Sequence, residues 1–215
     1  MPHLLHLDSS ADPRSSASRG VTAAFVQGWQ ARGAEFTVTS RDLQTDPPPH
    51  LPDAALHWAP RLRTAEEAVD PAAEAQQQVY LDELLAADVL LVGAPMYNWS
   101  LPSTLKAWVD HVHVLGATVP FGDFEARPLA GRDAVIVSSR GASYDAGGEQ
   151  ASWDHTVPPL ELVLGRSFGM TVSVITLQLT LADRVPAMAD LRGRAAAEAD
   201  AARSFAQELA ERLTT

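Results

Sequence analysis

Three short stretches of this chain carry residue types suited to holding a small ligand, and each follows a run of strand character. The first is Asp8-Ser9-Ser10-Ala11-Asp12-Pro13-Arg14-Ser15-Ser16-Ala17-Ser18, directly before a helical pattern. Hydroxyls there can donate to phosphate oxygens, and a helix start adds free N–H groups and a favourable dipole. The competing reading is a flexible loop with a serine N-cap; the position after the first strand favours phosphate. The second stretch, Pro95-Met96-Tyr97-Asn98-Trp99, offers aromatic and apolar surface, backbone donors and an amide. A planar, partly apolar ligand needs that mixture, although a packed turn uses the same residues. The third is Ser138-Ser139-Arg140-Gly141-Ala142. Its glycine permits close backbone approach, and its hydroxyl and amide groups suit a polar ring edge. An ordinary turn is the alternative here, and an exposed surface arginine is the alternative for Arg140.

These stretches need a scaffold that brings them together. Five runs read as strands: His3 to Leu7, Phe36 to Thr39, Asp88 to Ala94, Ala134 to Val137, and Val172 to Thr176. Val89-Leu90-Leu91-Val92 and Val135-Ile136-Val137 are continuous rather than alternating, as expected of strands covered on both faces of a parallel sheet. Helical patterns fall between them. Val21, Phe25, Gly28 and Trp29 follow Ser18, which reads as an N-cap; Leu101, Leu105, Trp108 and Val112 follow Ser100, with Pro102 in a first turn. Further helices are expected over Ala72 to Ala86 and from Thr156 to Leu164. A last, Ala-rich helix places Met188, Leu191, Ala195, Ala202, Phe205 and Leu209 on one side. Alternation of this kind predicts a single α/β domain over residues 1–215, with a doubly wound sheet and right-handed crossovers. Ligands of such sheets bind beyond the carboxyl ends of the strands, where all three stretches lie. Two long connections, 44–71 and 116–131, interrupt the pattern; their interspersed apolar residues (Leu51, Leu56, Trp58, Phe121, Phe124) suggest a lid or a subunit contact.

Absent motifs narrow the chemistry. No G-x-G-x-x-G follows the first strand, no G-x-x-x-x-G-K-[ST] occurs, and there is no G-x-S-x-G elbow. A dinucleotide Rossmann site, a P-loop NTPase and a serine hydrolase are therefore disfavoured. With no cysteine, disulfides, Cys-zinc sites, iron–sulfur clusters and thiolate catalysis are removed. His111 and His113 lie two apart on an expected helix and point to different faces, so no metal site is expected. The formal net charge of −11 argues against nucleic acid as the main partner. The first residues lack the features of a signal peptide and no apolar run reaches membrane-span length, so the expectation is a cytoplasmic protein without a membrane partner.

At these residues the chain resembles the FMN-dependent NADH-azoreductases, relatives of the NAD(P)H:quinone reductases. The resemblance rests on Ser16-Ala17-Ser18 before a helix and on Pro95-Met96-Tyr97-Asn98. It extends to Pro102-Ser103-Thr104-Leu105-Lys106 with Trp108-Val109-Asp110, to Ser139-Arg140-Gly141, and to Leu164-Gly165 through Phe168-Gly169-Met170. It covers nearly the whole chain. It implies a flavodoxin-like five-stranded parallel sheet in the order 2-1-3-4-5, non-covalent FMN, NADH or NADPH as electron donor, and a homodimer. Carried over by position, Ser10, Ser16, Ala17 and Ser18 surround the FMN phosphate. Met96, Tyr97, Asn98 and Trp99 run along the isoalloxazine, and Ser139, Arg140, Gly141 and Ala142 lie beside its polar edge. Two departures stand out: Ala142 replaces a frequent second glycine, and Phe121 and Phe124 do not align with the family's aromatic residues. The implied reaction is ping-pong hydride transfer through flavin N5 to a quinone or azo compound, the flavin carrying the chemistry. Tyr144 and His155, which flank the strand-four loop, are the candidate catalytic proton donors. Two other roles compete, a flavodoxin-type electron carrier and an NAD(P)H-dependent FMN reductase, and a flavin-less interaction domain shares the fold. Donor preference has no dedicated pocket in the sequence; Arg61 and Arg63 are the nearby cations.

Overall fold

The structure, a computed structural model, describes residues 1–213. Its centre is a parallel sheet of β1 (His3–Asp8), β2 (Thr37–Asp42), β3 (Val89–Gly93), β4 (Asp133–Ser139) and β5 (Thr171–Leu177), in the order β2-β1-β3-β4-β5. Every residue of β3 is buried, as its unbroken apolar run requires of a middle strand sandwiched between helices. The helices are α1 (Ala17–Ala31), α2 (Pro71–Ala86), α3 (Ser103–Val112), the single turn α4 (Val157–Leu160) and α5 (Arg192–Arg212). One core joins Val21, Phe25 and Trp29 of α1 with Ala202, Ala206 and Ala210 of α5 over one face of the sheet. The other joins Tyr80, Leu84, Leu105 and Trp108 with Leu160 and Phe168 over the opposite face. Strand order and layers are those of a flavodoxin-like fold.

Helix ends differ from the sequence reading. Ser16, not Ser18, caps α1: its backbone is extended and its hydroxyl accepts from Arg19 N at 3.3 Å, whereas Ser18 is fully buried inside the helix. α3 begins at Ser103 rather than after Ser100, because Ser100 is consumed in a backbone pair with Tyr97. α4 widens into a π-helical stretch, Glu161–Ser167, which carries the helix past Leu164. On α5 the expected apolar side is wrong in part. Met188 and Leu191 lie in a preceding 3-10 turn, and Phe205 is 43% exposed. Ala202, Ala206 and Ala210 face inward instead, because α1 comes too close for anything larger. A Cβ on Gly28 would stand 2.8 Å from the Gln207 carbonyl oxygen.

The two long connections are tied to each other. Ala59 N donates to Leu115 O and Leu115 N to His57 O, at 2.9 and 2.8 Å, and Trp58 meets Phe121 edge-on at 5.0 Å. Arg61 donates to Gly116 O at 3.1 Å and lies over Phe124. Arg63, its side chain buried, donates to Ala55 O and Trp58 O and pairs with Glu74. Both arginines are therefore engaged in holding the loops. Beneath them, buried Gln77 donates from one amide nitrogen to Leu56 O (2.8 Å) and His111 O (2.9 Å), and His111 Nε2 lies 3.0 Å from Pro49 O. Among the described residues no helix is long and apolar enough to cross a membrane.

Candidate functional site: a cleft at the carboxyl edge of the sheet

Parallel register brings the strand ends level. Asp8 pairs with Gly93, Gly93 with Val137, and Ser139 with Leu177. The chain leaving each strand is stitched to its neighbour: Ser9 Oγ donates to Gly93 O (2.6 Å), Met96 N to Ser139 O (2.8 Å), and Arg140 N to Leu177 O (2.9 Å). Between these loops and the start of α5 opens a cleft of about 720 Å³, within the range of small-molecule sites. Ser10, Ser16, Ala17, Tyr97 and Ser139 all line it.

The first loop is braced from within. Asp12 accepts from Arg14 N, Ser15 N and Ser15 Oγ. The Ser15 hydroxyl bond and the two backbone bonds hold its carboxyl down at about 2, so it is ionised at neutral pH. Arg19 donates to Ser10 O and Asp42, each at 2.8 Å, with Asp8 at 3.5 Å. Its guanidinium is held charged above its usual value, chiefly by Asp42. Ser16 satisfies the Arg19 N–H only; the earlier N–H groups of the first turn have no intrahelical acceptor. An anion placed there would meet free N–H donors and the positive end of the helix dipole.

The second loop is a two-residue turn. Tyr97 and Ser100 exchange backbone hydrogen bonds at 2.8 and 3.0 Å, which forces Asn98 to φ 49° and Trp99 to φ 66°. Two successive left-handed residues match a type I′ turn, whose usual second residue is glycine. A tryptophan there carries backbone strain, and such strain gathers at ligand sites. Trp99 is half exposed and meets Trp153 edge-on at 6.2 Å. Tyr97 turns the other way, its hydroxyl 3.0 Å from Ala11 N and 3.2 Å from Ser10 Oγ. It stands between the main cleft and a second hollow of about 460 Å³ lined by Asn98, Leu101 and Lys106.

The third loop contributes Ser139 to the lining, while Arg140 points elsewhere. Its guanidinium pairs with Asp154 and lies 5.6 Å over the Tyr144 ring. Gly141 lies close under Leu181, which faces the cleft: a Cβ would stand 2.8 Å from Leu181 Cδ1. Ala142 keeps an ordinary backbone, outside the left-handed region, so a second glycine is not required there.

The remaining residues singled out from the sequence sit around this centre. Ser18 is buried in α1, 3.1 Å from Ser16 Oγ. Met96 is half-buried in its backbone pair with Ser139. His155 is exposed and braces the second loop through its own N–H to Trp99 O at 2.9 Å. Tyr144 donates its N–H to Gln178, and neither it nor His155 lines either cavity.

Sequence reading missed the fifth strand's contribution. Leu177 to Leu181, Arg184 and Arg192 form a whole wall of the cleft. Buried Leu179 is held at φ 61°, another strained position. The rule that ligands sit beyond carboxyl strand ends applies equally to β5 and was the available signal.

Fold and cleft together define a flavodoxin-like α/β protein with a ligand site at the carboxyl edge of its sheet. A family model described as flavodoxin-like fold matches residues 2–211. The chain is 55% identical over 215 residues to the FMN-dependent NADH:quinone oxidoreductase of Kineococcus radiotolerans, covering 99% of this chain and 100% of that protein. Its identity to the like-named protein of Streptomyces coelicolor is 42% over 227 residues, covering 100% and 98%. Among solved structures, an azoreductase from Bacillus anthracis superposes with a TM-score of 0.80 at 18% identity, covering 99% of this chain and 100% of that one, which speaks to the fold alone. The chain belongs to the FMN-dependent NADH:quinone oxidoreductase family.

Proposed function

We propose that this chain binds FMN in the cleft at the carboxyl edge and moves electrons from a nicotinamide donor, NADH or NADPH, to quinone or azo acceptors. The observation that carries the reading is the convergence of Ser10 and Ser16, Tyr97, and Ser139 from three separate loops on one cavity. The donor set fits the cofactor. The hydroxyls and free N–H groups at the start of α1 suit a phosphate, and Asp12, the acid in that loop, is already turned onto its own backbone. Met96 to Trp99 and Ser139 to Ala142 would flank the ring system.

When bound, FMN would supply the two-electron redox chemistry that links a nicotinamide donor to the acceptor. The protein's own residues bind and orient. The turn at Asn98 and Trp99 is pinned by His155 and Trp153, which keeps the ring platform rigid. Tyr144 and His155 remain candidates for proton delivery from the margin of the site. Exposed Trp99, Trp153 and Phe121 would be covered in a homodimer. A nicotinamide donor goes with a cytoplasmic location.

A visible spectrum of the purified protein tests the reading. Flavin bands are expected, bleached by NADH without oxygen and restored by a quinone. A colourless protein that takes up no added FMN overturns it. Bound flavin that NADH leaves oxidised points to an electron carrier instead, and free FMN outcompeting quinones points to an FMN reductase.

A further inference from the structure

The start of α1 lines the cleft with hydroxyls and N–H groups; the loop's exposed cation, Arg14, is not among the residues that line it. Arg19, the arginine in its first turn, is spent on Ser10 O, Asp42 and Asp8. Asp12 adds a negative charge to the same loop. Within the cleft lining, a phosphate dianion therefore meets no cation from the first loop.

The opposite wall supplies one. Arg184, in the connection from β5 to α5, and Arg192, the first residue of α5, both line the cleft. Arg184 is exposed and makes no ion pair or side-chain hydrogen bond among the described residues. Arg192 uses Nε for Ala182 O at 3.2 Å and for a long contact of 3.5 Å to exposed Asp183, leaving its two terminal nitrogens for a ligand. Helix lengths place Arg192 above the phosphate loop. Gly28, eleven residues into α1, packs against Gln207 and Ala210, which lie fifteen and eighteen residues into α5. Both helices follow strands of one parallel sheet and run the same way. α5 therefore starts about 6–10 Å further out than α1, at 1.5 Å per residue. That offset is comparable to the reach of an arginine side chain, so a guanidinium at the head of α5 can lean back over the start of α1.

We propose that Arg184 and Arg192 neutralise the phosphate of the bound flavin nucleotide, closing over it from the β5–α5 wall while the α1 loop holds it from below. The proposal rests on the cleft being the flavin site. It makes the two arginines determinants of FMN over riboflavin, since only FMN carries the charge they meet.

The test titrates apo-protein with FMN and, separately, with riboflavin, reading quenching of flavin fluorescence. In R184A/R192A the FMN Kd is expected to rise about tenfold, the size of a partly exposed charge-assisted contact, with riboflavin binding unchanged. R184K/R192K, which keeps the charge, should recover most of the loss. Raising salt should weaken FMN binding to the native chain more than to the double alanine variant. Equal loss for both flavins would overturn the proposal and make the arginines structural. Unchanged FMN affinity with a raised KM for NADH would overturn it in favour of the donor's phosphates. A native chain that binds neither flavin would instead sink the reading of the cleft itself.

Discussion

Two regions of irregular chain in this molecule are built on opposite terms. The connections 44–71 and 116–131 spend their polar groups on backbone close by. Gln77 donates to two buried carbonyls, Thr118 donates to Val112 O and accepts from Val114 N, and Arg63 serves Ala55 O and Trp58 O. The loops at the carboxyl edge are stitched to each other by backbone, yet keep hydroxyls, first-turn N–H groups and an unpaired arginine turned toward a cleft. The first region is scaffold that happens to be irregular. The second leaves hydrogen-bonding capacity open toward a cavity. Length and proline content would mark the first as the functional one, and the hydrogen bonds say the reverse.

The largest effect is expected from breaking the scaffold. Gln77→Leu fills the same space but strands the carbonyls of Leu56 and His111 in a buried setting. A loss of about 3 kcal/mol is expected, the sum of two unmet buried acceptors. Urea unfolding measures it, and FMN affinity of the folded fraction should barely move. A comparable loss of FMN affinity would show that the two regions are not independent.

Acid should loosen the same region next. Burial holds His111 below the usual imidazole value of 6.5, against the Pro49 carbonyl and Asp110, which favour the charged ring; His57 adds to the lowering. His113 is lowered by burial in the same way. The unfolded chain therefore takes up protons first. The stability these rings contribute is complete above pH 6.5 and falls as pH drops below it, until the lowered native values are passed. His111→Gln keeps an N–H for Pro49 but cannot titrate, so its acid limb should be flatter, with His113 accounting for the remainder. An unchanged limb would remove His111 from the account.

The unequal legibility of the two regions follows from range. Five strands, their parallel sense and the three loops that each send a residue to the cleft could be read locally, because continuous apolar runs and helix starts are short-range signals. Phe205 was misplaced because the face of α5 is chosen by its approach to Gly28, a partner far away in sequence. Ser16 and Ser18 were interchanged as caps because either hydroxyl suits the position, and only the backbone turn decides. The β5 wall stayed hidden for a third reason. Leu177 to Leu181 read as ordinary strand end and loop, and nothing local marks Leu179 for a left-handed backbone.

On the cleft side, Ser16 lets capping and ligand binding be told apart. Ser16→Ala removes the bond to Arg19 N and is expected to cost about 1 kcal/mol of stability, whereas Ser16→Gly costs only a few tenths at such a cap. Both variants lose the hydroxyl that faces the cleft. If Ser16 is a phosphate donor, both should weaken FMN binding several-fold and to the same degree despite their different stabilities. If it is only a cap, FMN affinity should follow stability, and the glycine variant should bind like the native chain.

The smallest effect expected, and the sharpest probe of the boundary between regions, is Gly141→Ala. The added methyl would meet Leu181 Cδ1 at 2.8 Å, too close to stand, but Leu181 is 44% exposed and its side chain has room to turn. Backbone strain plays no part, because Gly141 is not in the left-handed region. Stability should therefore change by less than about 1 kcal/mol, the range of a tolerated small overpacking. Leu181 lines the cleft, so its displacement is felt there: FMN binding should weaken a few-fold while the urea midpoint stays nearly fixed. A scaffold glycine would behave the other way, losing midpoint and sparing affinity. That pattern at Gly141 would move the third loop from the binding region to the clamped one.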